Sequence, residues 1–284
     1  MIDSSLKIHH LPRAEGALFI AGFEGWGNAL DVSKGMVDFL IRELNAVRFA
    51  HLDPDPYFRY DEHRPQVDVQ DGALKEVTPP DASFYVTSEE ASGRRLVLFR
   101  SAEPHLQWYR FCGIVLSVCE MTGVSALATI GSMFDDVLHT DVMVSAFASR
   151  PGILSELEAY RVVPVNYQGA SAIHTLLQEA AEGRGMDALS LWCHCPYYLQ
   201  GTTHFGLLSH LGSILGSWGG FDVDTSELDT TWRHLTRQIQ EVIEKNPELK
   251  NMIHDLRKAK VKGTWDSARR QDKVIQLEDF LKPA

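Results

Sequence analysis

The segment Ala17–Asn28, ALFIAGFEGWGN, decides the fold of this chain. Its first five residues are apolar and predict a buried strand, and the apolar residues from Leu30 to Ile41 predict a helix directly after it. The glycines between them indicate a tight turn, where the backbone passes close to another group and free N–H groups could hold an anion. The spacing Gly-x-x-Gly-x-Gly matches neither the dinucleotide-binding pattern nor a phosphate-binding loop. Two interpretations therefore stay open, a purely structural turn and a ligand site.

The change of apolar periodicity along the chain predicts three strand–helix–strand units. Their elements are residues 17–21, 28–42 and 48–52, then 96–99, 105–121 and 124–130, and finally 161–165, 170–182 and 188–193. Connections of this length predict parallel pairing, and continuously apolar strands are typical of a sheet covered on both faces. We therefore predict an α/β fold with a mostly parallel sheet covered by helices on both faces. An insertion between residues 53 and 94 predicts an antiparallel hairpin of strands 83–87 and 94–99 at the sheet edge.

The C-terminal part differs from this α/β core. We predict a core domain of residues 1–222 and an extension of residues 223–284, which forms a helical hairpin and a loosely held polar tail from Gly263 onward. Asn246-Pro247 marks the junction between the two helices. The first helix carries an apolar stripe with helical spacing, formed by Leu228, Trp232, Leu235, Ile239 and Val242. The second helix can cover only part of this stripe, so these side chains are candidates for either core packing or self-association.

The composition argues against several classes of function. A net charge of −11 over 284 residues disfavours nucleic acid as a partner, because phosphates need a basic surface. No apolar run is long enough to span a bilayer, and the N-terminal residues lack the apolar segment of a signal peptide, so we expect a cytoplasmic protein without membrane contact. The four cysteines are expected to be reduced core residues. Cys193-His194-Cys195 lacks a second ligand pair, so we predict no metal, and no motif indicates a cofactor.

Polar and aromatic residues follow the predicted strands at the edge where parallel sheets bind ligands, beyond the carboxyl ends of the strands. The pocket candidates at this edge are Gly22, Glu24, Trp26, Asn28, Glu103, Gly131, His139 and Tyr197. We predict that Gly25 or Gly27 has a positive φ or lies against another backbone, with Trp26 partly exposed at the mouth of the crevice. Glu103 could instead complement a positive helix end, and His139 could be a hydrogen-bonded loop histidine. Because no nucleophile elbow or zinc-protease motif is present, the catalytic residues stay unassigned.

Six stretches of the core form an ordered set: residues 25–29 (GWGNA), 64–67 (RPQV), 103–111 (EPHLQWYRF), 138–140 (LHT), 167–173 (YQGASAI) and 195–198 (CPYY). Together they resemble the family of the proteasome assembly chaperone 2 domain, in its bacterial branch. The resemblance implies a phosphorylase/hydrolase-like α/β fold with a helical C-terminal extension. It also implies a homo-oligomer of the assembly-chaperone kind, and it carries over no catalytic residue. The sequence departs from the family pattern at Leu138, where many relatives have proline. It departs again at residues 279–284, which lack the hydrophobic–Tyr–any ending with which archaeal relatives dock on proteasome rings.

Two functions from different classes fit the sequence. The first is a non-catalytic, homo-oligomeric protein-interaction module that resembles an assembly chaperone, associates with itself as a trimer rather than a dimer, and engages a protein client. The alternative is a small-molecule-binding protein or an enzyme of the phosphorylase or hydrolase type that uses the crevice. A deep pocket with convergent polar groups and shifted pKa values would favour the enzyme. A shallow cleft and a large apolar contact would favour the interaction module.

Overall fold

One mixed sheet of nine strands runs through residues 3–262, the part of the chain that this computed structural model describes. In chain order the strands are β1 (Leu6–Ile8), β2 (Ala17–Glu24), β3 (Val47–Leu52), β4 (Gln66–Gln70), β5 (Ala73–Thr78), β6 (Ala82–Val86), β7 (Leu96–Ala102), β8 (Val124–Asp135), β9 (Val144–Ala148), β10 (Val163–Pro164) and β11 (Asp187–Pro196). Of these, β4 and β5 form a separate sheet. The helices are α1 (Val32–Glu43), α2 (Glu89–Ser92), α3 (Trp108–Thr122), α4 (Pro151–Glu156), α5 (Ile173–Glu182), α6 (Phe205–Gly219), α7 (Ser226–Lys245) and α8 (Pro247–Lys262). Over these described residues, no helix has the length and apolar character needed to cross a membrane.

Four parallel strands form the centre of the sheet, in the order β7-β2-β8-β11. Antiparallel strands extend it on both sides, with β6, β3 and β1 beyond β7 and with β9 beyond β11. Strand β10 pairs in parallel with β9 at the far edge. Helices cover both faces, since α1, α6, α7 and α8 pack on one face and α3 and α5 pack on the other. This arrangement confirms the predicted α/β class, with a parallel centre between two layers of helices.

Strand β2 shows why its sequence is apolar without interruption. Leu18 and Ile20 enter the core beneath α1 and α6, whereas Phe19, Ala21 and Phe23 enter the core beneath α3 and α5. Successive side chains of a strand point to opposite faces, so a strand buried on both faces needs apolar residues at every position. Burial on both faces is typical of a central strand, and β2 is the fifth of the nine strands in the sheet.

Two of the predicted parallel pairings are wrong. The strand predicted at residues 48–52 is β3, but it pairs antiparallel with β1 and β6 and does not neighbour β2. The segment 161–165 contributes the two-residue edge strand β10, which is parallel to β9 and not to β11. A long connection permits a parallel crossover but does not choose the neighbouring strand, and here β6, β7 and β9 occupy those positions. The predicted antiparallel pairing of residues 83–87 with 94–99 is confirmed in β6 and β7, although this pair lies inside the sheet and not at its edge.

The ends of α3 follow from two residues with left-handed backbone geometry. The helix begins at Trp108, later than the predicted residue 105, and Gln107 before it has a φ of 55° that is incompatible with a helix. It ends at Gly123, whose φ of 83° is readily adopted by glycine. The predicted stop at Gly123 is therefore confirmed, and the start is shifted by a turn that the sequence pattern does not reveal.

The C-terminal helices α7 and α8 form the predicted hairpin. They are joined at Asn246, whose Oδ1 accepts hydrogen bonds from backbone N–H groups in the first turn of α8. The apolar stripe of α7 packs on the core of its own chain: Leu228 and Ile239 are buried, and Trp232 and Leu235 are half-buried against it. Helix α6 packs against α7 in addition to α8, so of the two alternatives given for the stripe, core packing is the one that the structure describes. The predicted tail from residue 263 onward lies outside the described residues.

A separate hairpin projects from the insertion and is not among the elements predicted from the sequence. It consists of β4 and β5, and we call residues 66–78 the arm. Every position of both strands is exposed, and the turn residues Asp71 and Gly72 both have positive φ. Asp-Gly with positive φ is the preferred sequence of two-residue hairpin turns.

Candidate functional site

The glycine-rich turn after β2 brings Trp26 to the surface. Gly25 has a φ of 136°, and an added Cβ at this position would lie 3.0 Å from Cβ of Glu103. Trp26 is 64% exposed, and its ring leans edge-to-face on Trp192 with the ring centroids 6.4 Å apart. The predicted positive φ and the predicted exposure of Trp26 are both confirmed.

A cleft of about 510 Å³ opens beside this turn, at the carboxyl ends of β2 and β7. Three of the predicted pocket residues line it, namely Glu24, Trp26 and Glu103. The remaining lining comes from Gly25, from the insertion and from the segment that leads into α3: Arg59, Glu62, His63, Pro104, His105, Leu106 and Trp108. Its walls are therefore aromatic and charged.

The charges of the cleft are engaged with groups of the protein itself. Oε1 of Glu103 accepts a hydrogen bond at 3.0 Å from the backbone N–H of Ile173, the first residue of α5. Arg59 contacts Glu62 at 2.6 Å between Nη1 and Oε1. The interpretation of Glu103 as a carboxylate at a positive helix end is thus correct in kind, but the helix is α5 and not the following α3.

The end of the turn is tied to the helix that follows it. The N-terminal end of α1 is closed by Asn28, whose Oδ1 accepts a hydrogen bond from the N–H of Lys34 at 3.1 Å, while its Nδ2 donates to Asp31. On the cleft side, the carboxylates of Glu24 and Glu103 line the same space and would repel a phosphate. Asn28 therefore serves the helix rather than the cleft, and the geometry argues against a phosphate site.

Gly22 and Gly131 belong to the core packing and are not part of the cleft lining given above. An added Cβ on Gly22 would collide with the backbone oxygen of Ser33, so this glycine lets α1 approach β2 closely. An added Cβ on Gly131 would lie 2.9 Å from the indole ring of Trp192. In both places the missing side chain makes room for a neighbour in the same chain. Their assignment to a ligand pocket is corrected accordingly.

His139 and Tyr197 also lie away from the cleft. His139 is buried, and its Nδ1 is hydrogen-bonded to the hydroxyl of Tyr198 at 2.8 Å. Burial lowers the pKa of His139 to about 4, so the ring is neutral near pH 7. Tyr197 is exposed and stacks on Phe134, with the ring centroids 5.2 Å apart. His139 is therefore the hydrogen-bonded histidine of the structural interpretation, and neither residue joins the predicted pocket.

A second buried histidine, His174, supports the turn from below. Its Nε2 donates to the backbone oxygen of Ile130 at 2.8 Å, since a carbonyl oxygen can only accept. Its ring packs against Phe23 and Trp192, and an added Cβ on Gly27 would lie 2.9 Å from it. Burial lowers the pKa of His174 to about 4. The sequence analysis missed this residue, because a lone histidine early in a helix carries no distinguishing pattern.

The cysteines behave as core residues. All four are buried with free thiols, and Cys112 and Cys119 share one core face of α3 as their spacing predicts. Burial raises the pKa of the Cys112 thiol to about 12. Cys193 and Cys195 face the core beneath α1, while His194 between them points to the other side of β11. Among the residues described, no group of three His, Cys, Asp or Glu side chains is placed to hold a metal ion.

Three side chains are linked in series by hydrogen bonds near the carboxyl ends of β8 and β11. Nδ1 of His194 lies 2.7 Å from Oδ2 of Asp135, and Nε2 lies 2.9 Å from Oγ of Ser145. Because a carboxylate only accepts, Nδ1 donates to Asp135, and in the neutral form of the ring Nε2 is then free to accept the O–H of Ser145. The hydrogen bond from His194 lowers the pKa of Asp135, which stays ionised near pH 7. Ser145 comes from β9, so no spacing along the sequence links the three residues.

The chain matches the PAC2 family over residues 19–243. It is similar to the solved structure of a PAC2 family protein from Streptomyces avermitilis, with 28% identity and a TM-score of 0.74 over 84% of this chain and 99% of that chain. It is also similar to a proteasome-assembly chaperone homologue from Mycobacterium tuberculosis, with 25% identity and a TM-score of 0.73 over 83% and 99% of the two chains. PbaB of Pyrococcus furiosus, an archaeal proteasome activator, shares the fold at 18% identity and a TM-score of 0.64, over 85% and 99%. No curated protein matches the chain.

Proposed function

The chain belongs to the PAC2 family, and from this premise we propose that it is a homo-oligomeric protein-interaction module of the assembly-chaperone kind. The proposal assigns the cleft beside Trp26 to a protein client and gives it no catalytic role. The similarity to the proteasome-assembly chaperone homologue from M. tuberculosis supports this class of function. We also retain the division into a core of residues 1–222 and an extension of residues 223–284, which limited proteolysis tests by a first cut near residue 222.

The observation that carries the proposal is the type of side chain exposed at the cleft. Trp26 and Leu106 line the cleft and are exposed, and the exposed Tyr109 follows in the first turn of α3. Tryptophan and tyrosine are enriched among the residues that dominate protein–protein binding. The carboxylate of Glu103 and the guanidinium of Arg59 are already hydrogen-bonded or paired within the chain. They therefore suit the polar rim of an interface better than the acid and base of a reaction.

Binding of a client is tested by comparing two exposed aromatic residues. Wild-type protein, Trp26→Ala and Tyr167→Ala are used to isolate partners from the native host, and any partner recovered is then purified and titrated directly. Trp26→Ala is expected to weaken binding by roughly tenfold or more, as loss of an interface hot spot does. Tyr167 is exposed but does not line the cleft, so it serves as the matched control. Equal binding by all three proteins would remove the cleft from the proposal.

The oligomeric part of the proposal is tested by light scattering. A mass equal to one chain of 31.9 kDa that persists on concentration would contradict it. A mass of three chains is the expectation from the family resemblance, and a different multiple would keep the homo-oligomer while correcting its number.

A second candidate function, ester hydrolysis, is favoured by one observation, the hydrogen-bonded chain of Ser145, His194 and Asp135. In this function, Oγ of Ser145 adds to the carbonyl carbon while its proton passes to Nε2 of His194, and the leaving alcohol takes that proton. Water, activated by His194, then releases the acid and restores the serine. Ser145 and His194 are both buried, so substrate reaches them only if neighbouring groups move. This places hydrolysis second.

A fluorophosphonate probe tests the hydrolase candidate. Hydrolysis predicts a covalent adduct on Ser145 in the folded protein, found by peptide mass spectrometry, that disappears in His194→Gln and in the matched Ser145→Ala variant. Unmodified Ser145 at saturating probe, or equal labelling in His194→Gln, would eliminate this candidate.

A further inference from the structure

The arm presents an apolar face that nothing in residues 3–262 covers. Strands β4 and β5 pair Val67 with Val77 and Val69 with Leu74, and residues directly opposite each other across a ladder lie on the same face. These four side chains, which we call the arm face, are between 51% and 64% exposed. Four aliphatic side chains exposed together on one face are unfavourably hydrated, and such a patch is typical of an interaction surface.

A bulge in the pairing builds this face. Leu74 and Val77 are three residues apart, and in a regular strand an odd separation places side chains on opposite faces. The register shift between Asp68 and Val69 leaves Lys75 as an extra residue on β5, which returns Leu74 to the side of Val77. The arm face is therefore produced by a specific backbone feature and not by chance alternation.

Prolines flank the arm at both ends. Pro65 precedes β4, and Pro79-Pro80 follows β5. Proline fixes its own φ and keeps the residue before it extended, so both connections are stiff. A two-stranded hairpin is only marginally stable in water and needs another layer against its apolar side. That layer has to come from outside residues 3–262.

We propose that the arm face packs against the arm face of a second copy of this chain about a two-fold axis. The proposal rests on the homo-oligomer proposed above and names one contact surface of it. Pairing of arms about two-fold axes needs an even number of chains, as when two trimers join arm to arm, so a wild type of three chains would overturn it. Charge restricts where two copies can meet: each chain carries a net charge of −11, so close contact between copies needs a surface free of carboxylates. The pair Asp68 and Glu76 lies on the opposite side of the arm, so the carboxylates of the two strands point away from the arm face. Two flat aliphatic faces of equal size pack as stacked sheets do, and identical patches satisfy each other in a two-fold contact.

The test mixes two charge variants of the full chain. One carries Val67→Lys with Val69→Lys, and the other carries Val67→Asp with Val69→Asp. Each alone is expected to weaken self-association by roughly 100-fold or more, because like charges then meet across the axis. An equimolar mixture is expected to restore the wild-type mass, because lysine of one chain then meets aspartate of the other. Asp68→Asn, on the opposite side of β4, is the matched control and should leave the mass unchanged.

The masses are measured by sedimentation velocity, with circular dichroism to show that each variant is folded. A wild-type mass of an even number of 31.9 kDa chains, lost in both double variants and regained in the mixture, supports the proposal. An oligomer that both double variants leave intact overturns the arm contact while the homo-oligomer stands. A monomeric wild type overturns both. Dissociation of each variant without rescue in the mixture means that the arm meets a different surface, and it overturns the two-fold contact. Protection of the arm face in a monomer, seen by hydroxyl-radical footprinting, would assign its cover to residues 263–284 and also overturn the proposal.

Discussion

Replacement of Glu103 by alanine is expected to destabilise the protein through α5, although Glu103 lies in the cleft. Its Oε1 accepts the N–H of Ile173 at the start of α5, at 3.0 Å, and the carboxylate sits at the positive end of that helix. Loss of a side-chain acceptor at a helix start costs about 1 kcal/mol. Loss of a negative charge there costs a further 0.3–1 kcal/mol, roughly. Glu103→Ala should therefore lower the free energy of unfolding by about 1–2 kcal/mol.

Glu103→Gln separates the two contributions, because the amide keeps an acceptor oxygen and removes the charge. We expect it to cost only the charge contribution, about 0.3–1 kcal/mol, and that cost should shrink as salt is added. Glu24→Ala is the matched control, since Glu24 lines the same cleft but makes only a 3.8 Å contact with Lys34. An exposed pair of this kind contributes about 0–1 kcal/mol. Glu103→Ala and Glu24→Ala therefore each remove one carboxylate from the cleft, but only Glu103→Ala also removes a hydrogen bond to a helix.

Urea unfolding followed by circular dichroism measures all three variants under one set of conditions. If Glu103→Ala is as stable as the wild type, or more stable, the helix-capping role is refuted. Gain of stability on removing a polar group is typical of a residue retained for function. The same measurement therefore distinguishes a structural glutamate from a ligand-binding one.

Buried residues of the core can be tested in three further ways. Gly131→Ala should destabilise by about 1–3 kcal/mol in thermal unfolding, because the new Cβ would lie 2.9 Å from the ring of Trp192, whereas Gly113→Ala, with nothing within 4 Å, should be neutral or stabilising. The pKa of His174 is lowered to about 4, so the ring is neutral in the folded state, and its contribution to the free energy of unfolding is complete above pH 6.5 and is lost as the pH falls toward 4. Urea titrations across that range should show a smaller loss of stability in His174→Gln than in the wild type. An equal loss in both proteins would contradict the neutral state of His174. The raised pKa of Cys112, about 12, and the burial of the other three cysteines predict no labelling by iodoacetamide at pH 8 unless denaturant is present.

The central strands could be predicted because burial on both faces imposes an apolar residue at every position, as in β2. The pairing partners of β3 and β10 could not be predicted, because the local sequence of each strand does not depend on which neighbour it pairs with. The arm was predictable in principle. Asp71-Gly72 is a strong turn signal, and Val67 and Val69 alternate before it, but the bulge at Lys75 breaks the alternation after it.

The candidate site was predicted in part, because residue type reports an environment more directly than a function. Glutamate near a predicted helix suggested a helix-end role for Glu103, but the helix that it contacts is remote in sequence. Gly22 and Gly131 are glycines because a neighbouring group packs closely against them. Close packing explains a glycine near a strand end as often as a bound ligand does. Ser145 and its partners His194 and Asp135 come from separate strands, so only the assembled sheet brings them together.

The packing beneath Trp26 bears on the proposed client site itself. The positive φ of Gly25 turns Trp26 outward, and its ring rests on Trp192, which is oriented by a hydrogen bond to Ser190 at 3.1 Å and packed over Gly131. A side chain that is already oriented loses less conformational freedom when a partner binds. Gly131→Ala should therefore weaken client binding as well as stability, although Gly131 does not line the cleft. A variant that lost stability but bound the client with wild-type affinity would show that Trp26 does not depend on this support.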